Sequence, residues 1–250
     1  MKNCIIVIPV LEPNDAFMPY VKDLIDEDFK SIIIVNDGSS SDKTPIFDQL
    51  DALPEVTVLT HAVNMGKGRA LKNAFNYILK DPELSEKKGV ITVDGDGQHK
   101  VDDVLKLCSA LEQHTFSLLL GVRHFDEENV PWTSRAGNTI TKHLFKLLYG
   151  EGINDTQTGL RAITNDVLKD FAAIEGERYS YETNMLIVAI RKEIKLKEVP
   201  IETVYIGDNE ESHFNPVKDS VEIYVLLLKN FFKFMSVSFT SFLIDISFFQ

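Results

Sequence analysis

Gly89-Val90-Ile91-Thr92-Val93-Asp94-Gly95-Asp96-Gly97-Gln98-His99 is the stretch that decides the fold. A short, mostly apolar run stops abruptly at two aspartates with a glycine between them. A run of this length and composition reads as a strand covered on both faces, and Asp-Gly steps end strands in tight turns. The same pattern recurs on either side. Apolar strands are predicted over residues 4–10, 31–35, 56–60, 89–93 and 117–120, and helices over 15–28, from Thr44-Pro45, over 66–79 and over 101–114. In the third of these helices Ala70, Leu71, Ala74, Phe75 and Ile78 fall along one face. The order βαβαβαβαβ predicts an α/β fold with a mostly parallel, doubly wound sheet. In such sheets ligands bind beyond the carboxyl ends of the strands, where Asp37, Asp94 and Asp96 fall.

Beyond residue 120 the grammar changes. Residues 121–133 read as a polar loop containing Arg123, 135–149 as an amphipathic helix and 155–159 as a polar turn. A helix is expected over 180–191, a strand-like stretch over 195–205 and a polar loop over 207–216. Residues 218–233 then form an amphipathic approach to an apolar tail. Residues 234–250 hold no Lys or Arg and one acid, Asp245, but fall slightly short of the roughly 20 residues a span needs. The expected organisation is an α/β domain over 1–215, an amphipathic juxtamembrane helix over 216–233, and the start of a transmembrane segment over 234–250, cut off at Gln250. An interfacial or packed helix is the alternative for the tail. The first residues show no secretory signal pattern.

The 26 basic and 38 acidic residues give a net charge of −12, which argues against broad nucleic-acid binding. A local cluster of cations can still hold a phosphate substrate. Cys4 and Cys108 have neither zinc nor disulfide-framework spacing and read as small core residues of a reducing compartment.

Three motifs carry chemistry. Asp94 and Asp96, two apart at a strand end, can face one hard cation, with Gln98 adding a carbonyl oxygen. Mg²⁺ and Mn²⁺ take such oxygens and share themselves with substrate phosphates. The same residues also suit a plain turn. Asn36-Asp37-Gly38-Ser39-Ser40 places an acid at a strand end, where it suits a base or ribose hydroxyl or, equally, a turn with a helix cap. Asn64-Met65-Gly66-Lys67-Gly68-Arg69 puts glycines and cations at a helix start, open to an anion, yet His61 and Gly68 stand where a P-loop needs Gly and Ser or Thr.

In this order, over residues 3 to about 205, the motifs resemble the family 2 glycosyltransferases of the GT-A fold, with Ile8-Pro9-Val10 and Glu12 at the first strand end. The nearest likeness is to the polyprenyl- and dolichyl-phosphate hexosyltransferases. Asp94-Gly95-Asp96-Gly97-Gln98-His99 looks like their metal motif. Gly121-Val122-Arg123 and Arg135-Ala136-Gly137-Asn138 resemble two of their arginine sites. Asp155-Thr156-Gln157-Thr158-Gly159-Leu160-Arg161 resembles their acceptor-side segment, and Glu198-Val199-Pro200-Ile201 their last core strand. The chain departs from the family after that strand. It has Tyr205 and Ser212-His213 where an Arg and a Ser-Lys often stand, which leaves donor-phosphate contacts from that loop unassigned. The tail resembles the start of a GtrA-like membrane domain.

The resemblance implies an inverting, metal-dependent transferase that moves a hexose from a UDP- or GDP-sugar to a polyprenyl phosphate. Asp94, Asp96 and Gln98 would hold Mg²⁺ or Mn²⁺. Pro9, Val10, Glu12, Asp37, Lys67, Asp94 and Gly95 would bind the nucleotide sugar, and Arg123 and Arg135 the acceptor phosphate. A phosphate monoester is largely dianionic at neutral pH and needs no base to attack, whereas a sugar hydroxyl does. A transferase extending a polysaccharide or surface glycan would therefore need a carboxylate base, with Asp155 and Glu182 as candidates. A non-catalytic nucleotide-binding scaffold would have no use for the aspartate pair. The histidines His99, His143 and His213 show no ligand pairing and read as structural. The expected partners are the nucleotide sugar, the lipid phosphate, the membrane, and a membrane-domain partner or second copy, with no nucleic acid. The expected location is the cytoplasmic face of a bacterial-type cell membrane.

Overall fold

A computed structural model describes residues 2–123, 132–178, 180–202 and 223–233, the side chains of 132–136 excepted. The expected α/β sheet forms. Its strands are β1 (Ile5–Val10), β2 (Ile32–Asn36), β3 (Val56–Thr60), β4 (Gly89–Thr92), β5 (Ser117–Arg123), β6 (Arg161–Thr164) and β7 (Lys195–Ile201). They lie in the order β3-β2-β1-β4-β6-β5-β7. All pairings are parallel except those of β6, which runs antiparallel between β4 and β5.

Side chains alternating along β1 supply both faces. Ile5 and Val7 enter one core, and Ile6, Ile8 and Val10 the other, as the period of two in a strand requires. The first face is covered by α3 (Lys67–Lys80), α7 (Asn165–Ala172) and α8 (Ser180–Arg191). The second is covered by α1 (Phe17–Asp26), α2 (Thr44–Asp51) and α5 (Val101–Glu112). The short α4 (Pro82–Ser85) follows α3, and α6 (Trp132–Tyr149) precedes β6. Each of the larger aliphatic side chains buried here contributes about 1.5–3 kcal/mol over remaining in water. Cys4 and Cys108 are buried free thiols, sulfur to sulfur at 2.7 Å.

Two sequence expectations change. Gly121–Arg123, expected in a loop, continues β5 and pairs with Val199–Ile201. Residues 161–172, for which no element was expected, form β6 and α7. The antiparallel β6 has a consequence for the site. Its pairing of Arg161 with Thr92 brings the lead-in segment 155–160 to the carboxyl edge of the parallel strands. β7 carries exposed Lys195, Lys197 and Glu198, as an edge strand that discourages further pairing should.

Helix residues 223–233 pack on α6 through Tyr149, whose hydroxyl donates to the Leu227 carbonyl and whose ring meets Phe231. No helix among the described residues is long and apolar enough to cross a membrane. The tail over 234–250, the Gly207–Pro216 loop and the Tyr205 and Ser212-His213 positions lie outside the described residues.

Candidate active site

The carboxyl ends of β1, β2, β4 and β5 meet the start of α3 and the 155–160 segment. Gly95 turns the chain directly over β1, where a Cβ would sit 2.8 Å from Val10 Cβ and 3.2 Å from the Pro9 carbonyl. Pro9, Val10, Gly95 and the two aspartates therefore share one edge. Asp96 Oδ1 accepts from the Gln98 amide at 3.0 Å, which closes the turn. Gln98 thus lies beside Asp96 through its backbone.

Asp94 is held from three sides. Its Oδ1 lies 2.5 Å from Lys67 Nζ and its Oδ2 3.2 Å from His99 Nε2. Gly159 covers it so closely that a Cβ there would stand 2.1 Å from Oδ2. Burial alone raises the Asp94 carboxyl, but the Lys67 ammonium and His99 hold it well below the usual carboxylate range. Burial and then the charge of Asp94 push the Asp96 carboxyl the other way, upward. Two carboxylates two apart at a strand end, whose mutual repulsion a divalent cation would relieve, are a donor set of the kind such a cation takes, although the Lys67 ammonium already meets one of them. The hydroxyls of Tyr20 and Thr156 are buried without a hydrogen-bond partner. Among the described residues no group of three or more His, Cys, Asp or Glu converges. Further metal ligands would therefore come from the bound diphosphate or from Gln98.

Lys67 also reaches Glu182 Oε1 on α8 at 2.9 Å. Gly68 permits that approach, because a Cβ there would meet Tyr181 Cβ at 2.5 Å. The glycines of the Gly-Lys-Gly segment, expected to admit an anionic ligand, instead admit protein. Gly66, at φ 96°, donates its amide to Asp37 Oδ2 at 2.7 Å and faces the Glu177 carbonyl. Asp37 is buried, and its Oδ1 accepts from the Met65 amide and from His61 Nδ1. His61 Nε2 lies 2.8 Å from Asn73 Nδ2, so the ring carries its proton on Nδ1 when that amide donates. The Asp37 carboxylate is thus spent on the loop ahead of α3. Glu12, at φ 51°, accepts from the amide and hydroxyl of Ser40 and ties the end of β1 to the β2 turn.

Arg123, at the end of β5, bonds Asp155 with two nitrogens, Nε to Oδ2 at 2.7 Å and Nη2 to Oδ1 at 3.1 Å. Asp155 is fully buried and Arg123 a quarter exposed. Arg135 lies in the first turn of α6, and its side chain is among those not described. One turn on, Asn138 donates to the Asn154 carbonyl and accepts from the Thr156 amide.

The sequence reading missed Arg161 and His99. Arg161 is buried at the start of β6 and donates to the carbonyls of Thr158 (2.9 Å), Glu182 (2.7 Å) and Thr156 (3.2 Å). It thereby fixes the 155–160 segment to α8. His99, expected to be structural and unpaired, stands on Asp94. Its position directly after the Asp-x-Asp turn was the available signal.

A mostly parallel sheet with two aspartates beyond the end of a central strand fits the fold of the GT-A glycosyltransferases, and known structures agree. Glucosyl-3-phosphoglycerate synthase from Mycobacterium tuberculosis, solved with Mn²⁺, UDP and glucosyl-3-phosphoglycerate, superposes with a TM-score of 0.65 at 16% identity, covering 91% of this chain and 79% of that one. Mannosyl-3-phosphoglycerate synthase from Rubrobacter xylanophilus gives 0.68 at 14% identity, over 93% and 74%. At such identities the likeness is one of fold. The family model described as Glycosyl transferase family 2 matches residues 5–171, and the chain belongs to that family and is a glycosyltransferase. Among its relatives, a UDP-N-acetylglucosamine–dolichyl-phosphate N-acetylglucosaminyltransferase of Methanococcus voltae is 28% identical over 80% of this chain and 85% of its own length. A dolichyl-phosphate beta-glucosyltransferase of Trichomonas vaginalis is 30% identical over 75% of this chain and 59% of its own.

Proposed function

We propose that the chain moves a hexose from a nucleoside-diphosphate sugar to a polyprenyl phosphate, with inversion at the sugar carbon, at the cytoplasmic face of a membrane. The observation that carries this reading is the engagement of Asp155 and Glu182. These are the two acids placed to serve as a base, and each is held by a cation, Arg123 and Lys67 respectively. An acceptor that is already anionic suits such a site better than a hydroxyl that must lose a proton. The names of the relatives, which act on dolichyl phosphate, support the same acceptor class.

In this reading Asp94, Asp96 and Gln98 hold Mg²⁺ or Mn²⁺, which when bound stabilises charge on the leaving diphosphate. Pro9, Val10 and Gly95 form the floor under the nucleotide. Glu12 and Asp37 shape the loops around it, and Lys67, between Asp94 and Glu182, sets the charge beside the metal site. Asp155 seats Arg123 at the end of β5, and Arg135 supplies the second cation for the lipid phosphate. Val225, Leu228 and Phe232 are exposed on helix residues 223–233, and Ile140 and Leu147 on α6. With Lys229 and Lys233 nearby, such apolar surface suits an interfacial helix at lipid headgroups, with a membrane segment following over 234–250.

The test is a screen of UDP- and GDP-hexoses with undecaprenyl phosphate and Mn²⁺ or Mg²⁺. Radiolabel is expected to enter an organic-extractable lipid that releases its sugar in mild acid. Label that enters only a polymer or a soluble glycan overturns the acceptor assignment.

A further inference from the structure

We propose that Lys67 is a built-in competitor for the cation site and that Glu182 sets how strongly it competes. The inference rests on the reading that Asp94 and Asp96 bind a divalent ion. The Lys67 ammonium lies between two carboxylates, 2.5 Å from Asp94 Oδ1 and 2.9 Å from Glu182 Oε1. Its side chain is about a fifth exposed, so neither contact is strongly screened by solvent. Lys is a compact point charge on a flexible stem. It can neutralise Asp94 in the free protein and withdraw toward Glu182 when a divalent ion takes that oxygen.

The surroundings fix this arrangement rather than leave it to chance. Glu182 stands in the first turn of α8, where its own carbonyl is bonded by buried Arg161. Gly68 lets α3 approach α8 closely enough for the adjacent Lys67 to span both acids. Asp94 cannot turn away, because Gly159 and His99 close its other side. Glu182 is therefore a positioning residue that acts on the metal site through Lys67. Without it, the ammonium would rest on Asp94 alone and oppose the ion more.

The test measures Mn²⁺ binding to the full chain in the presence of saturating UDP, by electron paramagnetic resonance of the free ion. Four proteins are compared: wild type, Lys67→Met, Glu182→Gln and the double variant. Lys67→Met is expected to bind Mn²⁺ about tenfold more tightly and Glu182→Gln about tenfold more weakly, the scale of an outer-shell contact. In the Lys67→Met background, Glu182→Gln is expected to change affinity by less than about twofold, since its effect has lost its carrier. Additive shifts would mean two independent charges acting at a distance and would overturn the proposal, as would weaker binding by Lys67→Met. If Lys67→Met does not fold, Lys67→Gln carries the same expectations. If wild type itself binds no Mn²⁺, the metal reading fails and this inference with it. If wild type binds and the cycle is additive, only this inference fails.

Discussion

The two sides of the candidate site hold their charges by different means. At the end of β4, Asp94 is met by single contacts from the Lys67 ammonium and the His99 ring, and it is itself a quarter exposed. At the end of β5, Asp155 is fully buried under a two-point bond from Arg123, and the segment behind it is tied down by Arg161 through three backbone carbonyls. Ammonium and imidazole contacts can be exchanged for an incoming ion at little structural cost. A planar guanidinium locked on buried acceptors cannot. In the proposed function the first side takes up and releases ligands, and the second is the fixed wall against which they are placed.

This contrast can be broken by mutation. Arg161→Met should have the largest effect, because it leaves three carbonyls without their donor in the interior. Urea unfolding is expected to show a loss of about 3 kcal/mol. A protein of unchanged stability would remove the wall from the account. Gly159→Ala should cost less, about 1–3 kcal/mol for forcing a methyl into occupied space, and should displace Asp94 from its seat. It is expected to weaken Mn²⁺ binding by about tenfold, and normal Mn²⁺ affinity in that variant would show that Asp94 is not confined as described.

Glu177→Gln should have the smallest effect. Glu177 clamps the 175–178 loop to α3 through Arg69 and Lys72. Burial raises its carboxyl, but Lys72 and Arg69 outweigh that and leave it below its ordinary value. A depressed carboxylate stabilises the fold above its unfolded value, near 4.3, and that contribution is lost as pH falls through the lower folded value. Because the side chain is nearly half exposed, about 0.5 kcal/mol is expected after solvent screening. The substitution should lower the melting temperature slightly at pH 7, and its effect should shrink once pH drops below the unfolded value of about 4.3 and vanish only below the depressed folded value. An effect that does not shrink with falling pH would mean that the charge is not the cause.

The first side was largely legible in the residue pattern itself, and the second only through the family resemblance, which named Arg123 and the 155–161 segment but not the strands that hold them. Strands β1 to β4 are apolar runs separated by amphipathic helices, so their periods are distinct, and Asp94 and Asp96 mark the strand end plainly. β6 is four residues long and begins with an arginine, which hides its burial. Gly121-Val122-Arg123 reads as a loop, yet it extends β5 because the edge strand β7 pairs with it. Glu182 was legible only as a candidate base on a helix, and its reach to Lys67 depends on how closely Gly68 lets two helices approach, which is a tertiary fact. Asp37 was legible as a strand-end acid. Its internal use, by His61 and two amides, depends on where the 61–66 loop settles.

The account rests on one ion held by Asp94 and Asp96 against a diphosphate, and Mn²⁺ binding with UDP present, compared between wild type and Asp96→Asn, tests it most directly. Wild type is expected to take up one Mn²⁺ per chain, and Asp96→Asn to lose at least about tenfold in affinity while keeping its circular dichroism spectrum. Equal binding by the two proteins would contradict the account.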